Sequence, residues 1–216
     1  MVFRFLNLLI LLPALLFTNF AMAETTSKQT ILIFGDSLSA AYGIPKEKGW
    51  VNLMAQRVKD NQLPHEVANA SVSGETTAGG LSRLPAALKQ FKPSIIVIEL
   101  GANDGLRGLP TDTMKNNLEK MIQASKQANA QVVLLGMLIP PNYGPKYTNS
   151  FKSAFLDLSE KYKTPFIPFF LDGISGHADL VIEDGLHPNV NAQPKLLENV
   201  WPTLSAVLKL ANKAKN

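Results

Sequence analysis

Cysteine is absent from all 216 residues. That excludes disulfides, thiolate catalysis and Cys-ligated zinc, and with them a lipid-modified N-terminal cysteine. Histidine is scarce: His65, His177 and His187 are the full set. Asp179, Glu183, Asp184 and His187 lie close in sequence but form no His-x-x-x-His or comparable pair, so no metal site is expected. Charge of one sign is in short supply as well. The formal net charge is +4, and the lysines are scattered apart from Lys209, Lys213 and Lys215, which gives no support to nucleic-acid binding. After the N-terminus there is no apolar run long enough to cross a bilayer. There is no internal repeat, no linker and no low-complexity segment.

What is present begins with an export pattern. Arg4 supplies a positive start, Leu6 to Phe17 is apolar apart from Asn7 and Pro13, and Ala21-Met22-Ala23 is a small-x-small site. This is the pattern of a secretory signal peptide over residues 1–23, cleaved after Ala23. The apolar run is short for an uncleaved span of about 20 residues. The remaining about 190 residues suit a single domain, 24–216, with a sizeable core. An exported chain without disulfides fits a bacterial periplasm or the outside medium.

Strand-like and helix-like segments alternate through that domain. Residues 30–34 read as a first strand and 49–60 as an amphipathic helix, with Trp50, Leu53, Met54, Arg57 and Val58 at helical spacing. Residues 65–72 read as a second strand. Leu81, Leu84, Ala87 and Leu88 mark a helix that stops before Pro93. Ile95, Ile96, Val97 and Ile98 are continuous and β-branched, as in a strand covered on both faces.

A helix from Thr111 or Asp112 carries Met114, Leu118, Met121, Ile122 and Ser125 on one stripe. A strand at 131–138, a helix at 149–162 and a short strand at 166–169 follow. Residues 171–188 read as irregular. The last helix starts near Asn191, and Pro202 is expected to kink or break it. Alternation without hairpin signals predicts an α/β fold, a sandwich built on a parallel sheet.

Three turns follow three of these strands, at Ser37, Gly74 and Asn103. In a parallel sheet they emerge on one edge, where open α/β sheets place their sites. A hydroxyl, an approachable backbone N–H and a side-chain amide together suit acyl transfer, which needs a nucleophile and donors for an oxyanion. Taken singly, each has a plainer reading. Asp36 or Ser37 can cap a helix, Gly74 can be a turn glycine, and Asn103 can form an Asx-turn or a cap.

A serine nucleophile needs a base. His65 follows Pro64 and reads as a surface residue, and His177 lies in a glycine-bearing loop beside Asp179. His187 stands in Asp184-Gly185-Leu186-His187-Pro188. An Asp three residues ahead can fold back onto the ring Nδ1–H and leave Nε2 free to take a serine proton. A solvated acidic turn with an incidental histidine is the alternative.

Gly35-Asp36-Ser37-Leu38, Ser73-Gly74-Glu75-Thr76-Thr77, Gly101-Ala102-Asn103-Asp104-Gly105 and Asp184-Gly185-Leu186-His187-Pro188 occur in that order across nearly the whole domain. Together they resemble the four blocks of the SGNH (GDSL) hydrolase superfamily. GDSLSAAYG at 35–43, ELGANDGLRGL at 99–109 and IPPNYGPKY at 139–147 are similar to its periplasmic acyl-CoA thioesterase I, lysophospholipase and arylesterase group.

The resemblance implies a three-layer, flavodoxin-like α/β/α fold and a hydrolase with no metal or cofactor. It implies Ser37 as nucleophile, His187 as general base and acid, and Asp184 as its orienter. The Ser37 N–H, the Gly74 N–H and the Asn103 amide would form the oxyanion hole. Asp36 is expected to hold the turn rather than to act in catalysis. The loop 139–147 would lie beside an acyl channel. The implied substrates are small acyl esters and thioesters; from the composition no nucleic acid and no stable membrane anchor are expected, and a monomer is the expected state. A carbohydrate O-deacetylase of the same superfamily and a non-catalytic periplasmic lipid-binding protein are the alternatives.

Overall fold

Three short apolar runs, at 31–34, 95–98 and 132–135, set the architecture, because strands apolar on both faces need helices on both sides. A computed structural model describes residues 28–213; the segment 1–23, expected to be a signal peptide, lies outside the described residues. In chain order the elements are β1 (Gln29–Gly35), α1 (Trp50–Asp60), β2 (His65–Asn69), α2 (Thr77–Phe91), β3 (Ile95–Glu99), α3 (Ala102–Leu106), α4 (Thr111–Gln127), β4 (Gln131–Leu135), α5 (Pro145–Tyr162), β5 (Phe166–Ile167) and α6 (Gln193–Lys213). Short 3₁₀ turns at Lys46–Lys48, Pro141–Tyr143, Ala178–Leu180 and Val190–Ala192 punctuate the loops.

The strands are all parallel, in the order β2-β1-β3-β4-β5. This is the flavodoxin-like order, which changes direction beside β1 and opens a crevice at the carboxyl ends of β1 and β3. Helices α1 and α6 pack together on one face, while α2, α4 and α5 pack in succession on the other. The fold class is the α/β/α sandwich that the alternation of segments and the motif resemblance imply. Ile31 to Phe34 on β1 and Ile95 to Ile98 on β3 are fully buried. Register places Gly35 beside Glu99, so both central strands end level at the same edge.

Several expectations shift. His65 is not a surface residue. It opens β2 with its side chain turned inward and is buried, while its neighbour Glu66 faces solvent. Helix α5 begins at Pro145 rather than 149, since proline suits a first helical position, where its missing N–H has no partner to lose. The turn after β3 is itself a short helix, α3.

Pro202 does not break α6, which runs from Gln193 to Lys213. The residue is exposed, so the carbonyl deprived of its partner faces water. Leu196, Leu197, Val200, Leu204, Val207 and Leu208 meanwhile bury the opposite face. Pro85 in α2 is placed in the same way. A proline costs a helix about 3 kcal/mol, and burying several leucine-sized side chains at roughly 1.5–3 kcal/mol each outweighs that.

Candidate active site

Strand β1 delivers Asp36 and Ser37 into a tight turn in which the Leu38 N–H donates to Asp36 Oδ1 at 3.0 Å. This Asx-type bond turns the chain and leaves Ser37 at the tip, with 8% exposure. The turn packs closely. A Cβ on Gly35 would lie 2.6 Å from Glu99 Oε2 and 2.9 Å from Ser39 Oγ, so no side chain fits there.

His187 reaches Ser37 from the far end of the chain. Its Nε2 lies 2.8 Å from Ser37 Oγ and its Nδ1 lies 2.6 Å from Asp184 Oδ2. Asp184 Oδ1 also accepts from the backbone N–H of Leu186 and of His187, each at 2.9 Å. Such an Asp–His turn needs a left-handed residue, and Gly185 supplies it at φ +70°. Burial raises the Asp184 pKa, but the N–H groups of His187 and Leu186 and the His187 ring outweigh it and hold the carboxyl below its ordinary value. An ionised Asp184 accepts from Nδ1–H, which leaves the Nε2 lone pair directed at the serine hydroxyl.

The loop carrying this pair is pinned at its base. Val181 and Pro188 form an isolated antiparallel bridge. The Asn189 amide donates to the carbonyls of Asp179 and Val181. Buried Gln193 donates to the carbonyls of Pro188 and Asn189 and accepts from the Trp50 N–H at 2.9 Å, tying the loop to the start of α1. Tyr42 stacks obliquely on the His187 ring, centroids 4.6 Å apart.

Asn103, in the first turn of α3, donates from Nδ2 to Asp36 Oδ2 at 3.0 Å. It lines the same cavity as Ser37 and His187, a space of about 230 Å³. The rest of that cavity is largely apolar, with Leu38, Leu106, Met137, Ile139, Leu171 and Ile174 prominent. The start of loop 139–147 contributes to its wall through Ile139 and Pro140. Further on, that loop is anchored by Tyr143 Oη to the Leu106 carbonyl at 2.7 Å and by Tyr147 Oη to the Leu109 carbonyl at 2.6 Å.

Gly74 follows β2 with φ +77°, and its carbonyl accepts from Arg107 Nη2 at 3.0 Å. Arg83 ties this loop to β1. Its guanidinium donates to Glu75 at 2.5 Å, to the Ala70 carbonyl at 2.5 Å and to the Gly35 carbonyl at 3.3 Å, and it lies over the Phe34 ring. Gly74 is not among the residues lining the cavity with Ser37. A larger open hollow of about 540 Å³, lined by Ser39, Lys46, Asn52 and Asn69 among others, holds none of the candidate residues.

Behind Asp36 stands Glu99, wholly buried at the end of β3. Its Oε2 accepts from Ser39 Oγ at 2.7 Å and from the Asp36 N–H at 3.3 Å. Burial, then the Asp36 charge, push the Glu99 carboxyl well above its ordinary range. Burial likewise pushes Asp36 up to about 6, opposed by the Leu38 N–H, the Asn103 amide and His187.

Ser37, Asp184, His187 and Asn103 thus converge. Exposed His177 has no hydrogen bond to Ser37 among the described residues. Gln193 carries no local signal in the sequence, because its partner Trp50 is 143 residues away.

A serine–histidine–aspartate chain at the carboxyl edge of a parallel α/β sheet, beside an apolar cavity, defines a class of acyl-transferring hydrolases. Residues 33–193 match the GDSL-like Lipase/Acylhydrolase family, and the chain belongs to it. It is 46% identical over 187 residues to "Esterase TesA" of Pseudomonas aeruginosa, covering 87% of this chain and 93% of that protein. It is 38% identical to "Thioesterase 1/protease 1/lysophospholipase L1" of Escherichia coli K12 over 79% of this chain and 81% of that protein. The crystal structure of the psychrotrophic esterase EstA from Pseudoalteromonas sp., inhibited by monoethylphosphonate, superposes with a TM-score of 0.80. It is 44% identical to this chain, covering 84% of this chain and all of that one.

Proposed function

We propose that the protein hydrolyses carboxylic esters and thioesters through an acyl-enzyme formed on Ser37. The observation that carries this reading is the Asp184–His187–Ser37 chain, with links of 2.6 and 2.8 Å at the mouth of an apolar cavity. His187 Nε2 takes the Ser37 proton as Oγ attacks the acyl carbonyl, and Asp184 stabilises the imidazolium that forms. The carbonyl oxygen becomes an oxyanion facing the Asn103 amide and the Ser37 N–H, with the Gly74 N–H, outside the cavity lining, as the third donor that the family resemblance implies. His187 then gives its proton to the leaving alcohol or thiol, and water repeats the sequence to release the acid.

The methyl and methylene wall of Leu38, Leu106, Met137, Ile139, Leu171 and Ile174 suits an acyl chain better than a sugar, which needs hydroxyl partners. An ester or thioester is activated enough for this machinery without a metal.

Ser37→Ala is expected to abolish hydrolysis of short p-nitrophenyl esters and covalent labelling by a fluorophosphonate, with mass spectrometry placing the wild-type label on Ser37. A labelled or fully active Ser37→Ala protein overturns the assignment. Acetylated sugars assayed beside medium-chain acyl esters test the acyl preference.

The same reading includes export. Residues 1–23 act as a signal peptide, and a monomer of residues 24–216 works in the periplasm or the medium with no membrane anchor and no nucleic-acid partner. Among the described residues no helix is long and apolar enough to cross a membrane. The intact mass of the mature protein, expected to begin at Glu24, checks the cleavage.

A further inference from the structure

Asp36, Glu99 and the bond from Asp36 to Asn103 meet behind Ser37 and take no part in the mechanism above. An amide that must stabilise an oxyanion has a problem of orientation. Asn103 sits half-buried at the start of a helix only five residues long. Its side chain carries two N–H donors and one carbonyl acceptor on a rotatable bond. Turned one way, Nδ2 faces the cavity; turned the other, the carbonyl oxygen does, and a developing negative charge would be repelled. Something has to choose between the two.

We propose that Asp36 is the positioning residue that makes this choice: by accepting one Asn103 N–H on Oδ2, it fixes the amide so that the second N–H faces the reacting carbonyl. The proposal rests on the acyl-enzyme reading of Ser37 and deepens it.

The geometry around Asp36 leaves it little other freedom. One carboxylate oxygen is engaged by the Leu38 N–H at 3.0 Å and the other by Asn103 Nδ2 at 3.0 Å. The side chain is 1% exposed, so water does not compete for either oxygen. Its own N–H is held by Glu99, which Ser39 holds in turn. The groups facing it are Leu38 and Ser39 from its own turn, Glu99 from β3, Asn103 from α3 and His187 from the loop before α6.

Of the two adjacent buried acids, Glu99 is raised by the charge of Asp36, whereas Asp36 is lowered by its hydrogen bond with Glu99, so the negative charge of the pair is placed on Asp36. A carboxylate accepts and never donates. It therefore admits the amide nitrogen of Asn103 and rejects its oxygen.

The isosteric variant Asp36→Asn inverts this preference without changing volume. Its carbonyl oxygen is claimed by the Leu38 N–H, so its amide nitrogen faces Asn103 and selects the flipped amide. The experiment is a cycle of wild type, Asp36→Asn, Asn103→Ala and the double variant on a short p-nitrophenyl ester. Asp36→Asn and Asn103→Ala are each expected to lower kcat by about 10²-fold, with KM changed by less than about threefold, as for a contact made only in the transition state.

The double variant is expected to match Asn103→Ala alone within about threefold, because Asp36 acts through that amide. Losses that multiply in the double variant, or an Asp36→Asn enzyme with wild-type kcat beside a crippled Asn103→Ala, overturn the proposal while leaving the oxyanion role standing. A fully active Asn103→Ala overturns both. Should Asp36→Asn fail to fold, Asp36→Ser carries the same cycle. Its hydroxyl can still accept from the Leu38 N–H but is too short to reach Asn103.

Discussion

Two aspartates serve the Ser37–His187 pair from opposite sides, under opposite physical conditions. Asp36 is buried on the end of a central strand, next to a second buried acid, and its pKa is pushed up to about 6. Asp184 is exposed on an irregular loop, and its pKa is held below the ordinary value by backbone N–H groups and His187.

The Ser37 half of the site, with Asp36 and Asn103, is built from strand and helix ends whose positions the core dictates. The His187 half, with Asp184, is built from a loop whose position rests on a handful of hydrogen bonds to Asn189 and Gln193. Burial supplies placement on one side and local hydrogen bonding supplies it on the other. An acid placed by burial suffers a shift against its charge, whereas an acid placed by donors keeps its charge.

That contrast predicts a ranking. Removing the proposed base by His187→Ala should have the largest effect, a fall in kcat on the order of 10⁴-fold or more, measured on a p-nitrophenyl ester. Asp184→Asn comes next, at about 10³–10⁴-fold. Its Oδ1 still accepts the two backbone N–H groups, but an amide at the Oδ2 position favours the imidazole tautomer whose Nε2 carries the proton and cannot accept one from Ser37. If Asp184→Asn costs less than Asp36→Asn, the division of labour drawn between the two acids is wrong.

Gln193→Ala should lower kcat by about tenfold through a loosened His187 loop. The orphaned Trp50 N–H should also cost about 1–3 kcal/mol in denaturant unfolding. An unchanged kcat would show that the loop holds itself.

The smallest effect concerns stability against pH. Glu99 and Asp36 have raised pKa values in the fold, so the folded chain keeps protons that the unfolded chain releases. Their contribution is present below the unfolded values and is lost as pH rises through the folded ones. Asp184 has the opposite sign: its contribution is present above its unfolded value and is lost as pH falls through the lowered folded one. Glu99→Gln, which keeps the shape and drops the titration, should therefore flatten the fall of thermal stability as pH rises above the ordinary carboxylate range. A slope as steep as that of the wild type would mean that the charge lies elsewhere.

The sequence is legible where one local pattern decides the outcome. Ile95 to Ile98 read as a doubly covered strand and are fully buried. The order of alternating segments is enough to imply the parallel sandwich. Asp184, Gly185 and His187 lie within four residues, so the turn they form can be read from their spacing alone. Legibility fails where a distant partner chooses the outcome. His65 is taken inward by the strand alternation of β2 under α1, although its neighbours Pro64 and Glu66 suggest a surface. Pro202 continues α6 because the opposite face is anchored, which its own local rule does not register. The bond from Asn103 to Asp36 spans 67 residues, and no spacing announces it.

Gly35 shows what such distant choices mean for variation. The position is closed to any side chain chiefly because Glu99 Oε2, on the adjacent strand, fills the volume where a Cβ would go, with Ser39 Oγ close behind. The first residue of the Gly35-Asp36-Ser37-Leu38 motif is thus the imprint of an acid 64 positions later. In mutational terms the two behave as one locus. Alanine at 35 should be tolerated better in a chain already shortened at 99 than in the wild type, with Ser39 Oγ at 2.9 Å and the Glu99 carbonyl at 3.0 Å still limiting what the position accepts.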